Sequence, residues 1–216
     1  MEKLVVKTAV RTVLIILGLF LIVFAIFNFA FPQHMATIME ETGHYNLALK
    51  YADMRYSYTK NCDDLARCFE DSIVLGDDGY VIEFGEKLVA HRDYADLCRT
   101  KRDGYGDNYS YDHMVKSKLA VAYYGSGVKL QADGKTQEGA ELKSKAIKLA
   151  LEDNGTQSFE YGNALMSLSA RIRAEEDRES AGAVLEILEN QITPADRTEQ
   201  GYLTEVINIL KAVALS

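Results

Sequence analysis

Between Thr12 and Met39 the chain carries no aspartate, glutamate, lysine or arginine, and this stretch limits what the chain can fold into more than any other feature. Its centre, Val13 to Phe31, is apolar except for Gly18 and Asn28. At about 1.5 Å per residue that centre makes a helix of roughly 28 Å, close to the thickness of a bilayer's hydrocarbon layer. A helix satisfies its own backbone polar groups in lipid. One that is apolar on every face has no side to offer water. The sequence therefore predicts a transmembrane helix over residues 12–32. A cleaved signal peptide would have a shorter apolar run and a small-x-small exit. Here the exit reads Asn28-Phe29-Ala30-Phe31-Pro32, so the expectation is an uncleaved signal-anchor.

The flanks give the expected orientation. Lys3, Lys7 and Arg11 precede the helix, and nothing basic follows until Lys50. The positive-inside rule leaves residues 1–11 in the cytoplasm and sends residues 33–216 across the membrane. The first eleven residues hold a net +2, so the rest of the chain carries −10 of the total −8. An acidic domain is a poor partner for nucleic acid, which needs phosphate-neutralising basic patches. Anionic head groups would also repel it beyond its anchor.

Residues 33–216 are enough for one domain with its own core. The chain has two prolines, Pro32 and Pro194, and that scarcity favours helices over a many-turned sheet. Apolar residues recur at helical spacing. One stripe is Tyr45, Ala48, Leu49, Ala52 and Tyr56; a second is Leu65, Cys68, Phe69, Ser72 and Ile73; a third is Val81, Phe84 and Leu88. Val115, Leu119, Ala122 and Tyr123 give a fourth, and Leu142, Ala146 and Leu149 a fifth. Tyr161, Leu165, Leu168 and Ile172 follow, then Ala181, Val184, Leu185 and Leu188, then Leu203, Ile207, Leu210 and Val213. Turn chemistry separates them: Gly76-Asp77-Asp78-Gly79, Ala132-Asp133-Gly134 and Asp153-Asn154-Gly155. Thr193-Pro194-Ala195-Asp196 predicts a further helix start.

Helices in pairs invite a search for repeats. Gly43-His44-Tyr45-Asn46-Leu47-Ala48-Leu49-Lys50-Tyr51-Ala52 resembles the second helix of a tetratricopeptide repeat, and Gly79-Tyr80-Val81-Ile82-Glu83-Phe84-Gly85 resembles it again. Tyr45 and Tyr80 are 35 positions apart, near that family's period of about 34. Val115–Ala150 and Tyr161–Leu188 fit more loosely, and the pattern lacks the family's tryptophan and its closing prolines. The resemblance implies an all-α fold, a tetratricopeptide-like (TPR-like) α-solenoid of helical hairpins. The layout also resembles membrane-anchored ancillary subunits of bacterial protein translocons, which implies a bacterial cell-membrane protein with one membrane helix and an exported repeat domain.

The sequence offers little chemistry. His34, His44, His91 and His113 are scattered, with no zinc-protease motif, phosphate loop or dinucleotide fingerprint. Ser126, in Gly125-Ser126-Gly127, lies on a helical stretch rather than a nucleophile elbow. The expectation is no enzyme, no metal and no cofactor. Cys62 and Cys68, if helical, stand about 9 Å apart along the axis, beyond the roughly 7 Å reach of a disulfide. A bridge from either to Cys98 stays open, as does the alternative of free thiols.

The unusual segment is a connection at about 103–112, with three acids and Tyr105, Tyr109 and Tyr111. It misses the EF-hand spacing, and Asp112 would cap the following helix. Tyrosine joins a rigid apolar body to a hydrogen-bonding tip and suits contact surfaces. Tyr105, Tyr109 and Tyr111 are therefore candidate binding residues, and so are Tyr51, Tyr58 and Tyr124 if they line a concave face. The expected function is a membrane-anchored protein–protein interaction scaffold that assists assembly or folding of a protein partner. The alternatives are a ligand-sensing or enzymatic domain built on residues 103–112, or a passive structural subunit of a membrane complex.

Overall fold

The computed structural model describes residues 2–105, 110–152, 164–191 and 201–216. All regular structure among them is helical: α1 Glu2–Ala30, α2 Pro32–Glu41, α3 Tyr45–Thr59, α4 Cys62–Leu75, α5 Asp78–Val89, α6 Tyr94–Tyr105, α7 Tyr111–Ala132, α8 Thr136–Glu152, α9 Ala164–Ala174, α10 Arg178–Gln191 and α11 Gly201–Ala214. The chain divides into two compact units, Met1–Asp71 and Ser72–Ser216.

In the first unit α1 is longer than the expected 12–32. No breaker precedes Pro32, and Lys3, Lys7 and Arg11 are good helix formers, so the helix begins at Glu2. Its Val10–Phe27 stretch is long and apolar enough to cross a membrane, and none of it is buried inside the protein. Phe31, at φ −129° and ψ 54°, interrupts the helix for one residue, and Pro32 opens α2 at a position where a missing N–H costs nothing. Gly43, at φ +76°, turns the chain into α3, which packs on α2. Ala48 and Ala52 of the first stripe are fully buried, while its end residues Tyr45 and Tyr56 are only partly covered. Leu65, Cys68 and Phe69 of the second stripe are buried. Polar contacts fix α4 to its neighbours. Arg55 of α3 meets Asp64 at 2.6 Å, and Arg67 donates to Glu40 of α2 at 2.6 Å and to Thr37 at 2.8 Å.

The second unit is built around α7, which packs against α5, α6, α8 and α9, while α9, α10 and α11 pack on one another. Its helix starts follow local chemistry. Asp77 accepts hydrogen bonds from the backbone N–H groups of Gly79 and Tyr80, capping α5. Ser110 caps α7 by accepting from His113 N–H at 3.3 Å. The expected cap, Asp112, is engaged elsewhere: it accepts from the Tyr94 hydroxyl at 3.0 Å and pairs with Lys116 at 2.7 Å. The expected starts and stops at 153–155 and 193–196 lie outside the described residues, as does Tyr161 of the sixth stripe. The described stripe residues of α9, α10 and α11 are buried.

The glycines at 125 and 127, which mimic a nucleophile motif in the sequence, have a packing role. A Cβ on Gly127 would come 2.7 Å from the Gly139 carbonyl oxygen of α8, and one on Gly139 would come 2.5 Å from the Gly127 oxygen. A Cβ on Gly125 would come 2.7 Å from the Asp78 carboxylate of α5. Glycine at 127 and 139 lets α7 and α8 approach to backbone contact, Gly125 leaves room for the Asp78 side chain of α5, and Gly134, at φ +82°, makes the α7–α8 turn. The cysteines are free thiols: Cys62 and Cys68 are buried, and Cys98 is half-buried.

Candidate functional site

The second unit holds a cleft of about 400 Å³ between α5, α7 and α8. Three helical faces build it. Val89 and Ala90 come from the end of α5; Lys116, Leu119 and Tyr123 recur at helical spacing on α7; Lys145, Lys148, Leu149 and Glu152 do the same on α8. The floor is aliphatic and aromatic, and the rim is charged. Val89 is 42% exposed, so part of the apolar surface is open to solvent.

The rim charges are matched. Glu86 accepts from Lys145 Nζ at 2.6 Å and from the Tyr123 hydroxyl at 2.5 Å, and the Lys145 ammonium stands 4.2 Å from the centre of the Tyr123 ring. The hydrogen bonds from Lys145 and then Tyr123 hold the Glu86 carboxyl below its usual range. Burial, followed by the bond to Glu86, pushes the Tyr123 phenol up. Burial disfavours charge on Lys145, yet its bonds to Glu86 and Tyr123 win and raise its pKa. Lys148 faces Glu152 at 3.8 Å, and Lys116 is paired with Asp112. An apolar floor inside a balanced charged rim suits a peptide segment that carries both apolar and charged side chains better than a small anion.

On its other side α7 makes a second tyrosine network. The Tyr124 hydroxyl donates to Asp177 Oδ2 at 2.7 Å, as do Lys143 Nζ and Ser180 Oγ, each also at 2.7 Å, while Asp177 Oδ1 accepts from Ser180 N–H at 3.0 Å. Burial opposes charge on Asp177, but these four donors hold its carboxyl far below the usual range. Burial and the Asp177 bond push the Tyr124 phenol far up.

None of the described tyrosines expected to bind lines the cleft. Tyr124 is fully buried and tied to Asp177, so it is a core residue, not a concave-face contact. Tyr111 is also fully buried, with the Lys101 ammonium 5.2 Å from its ring. It opens α7 rather than sitting in a loop, because the expected 103–112 connection is shortened at both ends: α6 runs to Tyr105 and α7 begins at Tyr111. The Tyr105 side chain and all of Tyr109 lie outside the described residues. On α3, Tyr51 is half-buried and Tyr58 is 73% exposed. Tyr94, Asp112 and Lys116 satisfy one another, and burial raises the Cys98 thiol away from reactivity. The cleft residues Val89, Lys145, Lys148 and Glu152 were missed. Their signal was the mixed apolar and charged face at positions 145, 148, 149 and 152.

No family model matches the chain, and no curated protein or solved structure matches it.

Proposed function

We propose that this protein is a membrane-anchored interaction module whose α5–α7–α8 cleft receives a short segment of a protein partner. Helix α1 would hold it in the bilayer, with Lys3, Lys7 and Arg11 on the cytoplasmic side and the helical domain on the other. The observation that carries the reading is the cleft, with its partly exposed apolar floor and a rim of three lysines paired with Glu86, Glu152 and Asp112. A TPR-like stacking of helical pairs is part of the proposal. The glycine-to-glycine approach of α7 and α8, across a short turn, supports it.

Two experiments test this. Protease added to intact cells or spheroplasts should digest the domain without lysis; protection until lysis would overturn the orientation. A photo-crosslinking amino acid placed at Val89 or Leu149 should trap one common partner, and the same residue at Tyr58 should not. The same partner trapped only from Tyr58 would move the site to α3.

A further inference from the structure

The apolar surface of α1 does not end with the membrane-length stretch. Val10–Phe27 is 18 residues, about 27 Å of helix, which nearly fills a hydrocarbon layer of about 30 Å. The charge-free sequence continues to Met39. Phe31 is the joint between the two helices: its N–H closes the last turn of α1 on the Phe27 carbonyl at 3.0 Å, and its own carbonyl accepts from Met35 N–H at 3.2 Å in the first turn of α2. The rings of Phe27 and Phe31 lie 5.2 Å apart, and those of Phe31 and His34 5.9 Å. At helical spacing the stripe then reaches Ile38 and ends at Glu41. Phe31 is 47% exposed, Ile38 is 42% exposed, and His34 is exposed.

The other side of α2 is occupied by the protein itself. Met35 and Ala36 are buried, and Thr37 and Glu40 are held by Arg67. The Arg67 pairing also neutralises the one carboxylate of α2 besides Glu41. The outward stripe is thus uncharged until its last turn and is continuous with a surface fit only for lipid. We propose that α2 lies in the interfacial layer of the bilayer, with Phe31, His34 and Ile38 against the lipid and Glu41 at the water-facing end. This rests on the anchor reading of α1. It makes the first unit a membrane-apposed collar rather than a domain swinging on a tether.

The chain has no tryptophan, so single substitutions report cleanly. Full-length Phe20→Trp, Ile38→Trp and Tyr58→Trp variants, all at exposed positions, would be reconstituted in phosphatidylcholine bilayers containing lipids brominated at two depths, near the middle of the acyl chain to reach Phe20→Trp and near its carbonyl end to reach Ile38→Trp. The expected result is quenched, blue-shifted emission from Phe20→Trp and Ile38→Trp, and unquenched emission from Tyr58→Trp. Quenching at Phe20→Trp without quenching at Ile38→Trp overturns the collar while leaving the anchor intact. Absence of quenching at Phe20→Trp overturns the anchor, and the collar with it. Equal quenching at Ile38→Trp and Tyr58→Trp also overturns the collar, because contact would then not be confined to α2.

Discussion

Two neighbouring tyrosines of α7 make the same three-part arrangement in opposite settings. Tyr123 reaches Glu86 of α5 and Lys145 of α8; Tyr124 reaches Asp177, ahead of α10, and Lys143 of α8. In the first trio the glutamate and lysine side chains are 48% and 53% exposed; in the second the aspartate and lysine are 13% and 14% exposed. Charge pairs in water contribute little because solvent screens them and side-chain entropy opposes them. The same pair with water removed cannot lose one partner without stranding the other. The Tyr124 trio is therefore a structural clasp, and the Tyr123 trio is an adjustable edge to a cleft.

The largest test of that contrast is removal of each acid. Asp177→Ala leaves Lys143 and the Tyr124 hydroxyl without their acceptor and uncaps α10, and should cost about 3–5 kcal/mol in denaturant unfolding. Glu86→Gln should cost under about 1 kcal/mol. Equal costs would dissolve the distinction.

A second change should strain both trios together. A Cβ on Gly127 would meet the Gly139 oxygen and come 2.9 Å from Lys143 Cγ, so Gly127→Ala must push α8, with Lys143 and Lys145, away from α7. A loss of about 1–3 kcal/mol is expected. Gly182→Ala, within α10 and with nothing inside 4 Å of the added carbon, should stabilise by about 0.5–1 kcal/mol. The same sign of effect at both positions would contradict the close approach.

The pH response sharpens the comparison further. The Asp177 carboxyl is depressed in the fold, so its contribution is present above the unfolded value of about 3.9 and is lost as pH falls through its folded value. Asp71, in the first unit, behaves in the opposite sense. Burial, then the neighbouring Glu40 carboxyl, raises it to about 7; Arg67 pulls the other way, and Glu70 adds a little to the rise. The folded state then holds a proton that the unfolded chain releases, so stability is lost as pH rises between about 4 and 7. Hydrogen exchange of the first unit should show protection falling by about 2–3 kcal/mol between pH 5 and pH 8. Asp71→Asn should flatten that dependence; an unchanged slope would contradict it. Smallest of all, Tyr58→Ala at an exposed site should stay within about 0.5 kcal/mol of the parent.

Much of this architecture was legible in sequence because helical periodicity is a local property. The stripes at Leu65–Phe69, Val81–Leu88 and Val115–Tyr123 recur as buried faces of α4, α5 and α7. Gly76 and Gly134 take the positive φ angles their turns need. The cleft was not legible, because it joins α5 to the α7–α8 pair across the intervening α6 and depends on which face of α8 meets α7. The Gly127–Gly139 approach sets that face, and a Gly-Ser-Gly on a helix gives no sign of its partner. Tyr111 misled for a related reason. Beside glycines and acids it reads as a loop residue, yet the Ser110 cap starts the helix two residues earlier than an Asp112 cap would, and the ring turns into the core.

The most direct test of the interaction module compares partner recovery with stability in one variant. Leu149 lines the cleft and is only partly covered, so Leu149→Glu places a charge on the apolar floor with little demand on the core. The full-length protein, purified from membranes together with the partner trapped from Val89, should lose that partner by more than about tenfold, or roughly 1.4 kcal/mol, with its melting temperature unchanged. Full retention of the partner at an unchanged melting temperature would contradict the assignment of the cleft as the binding site.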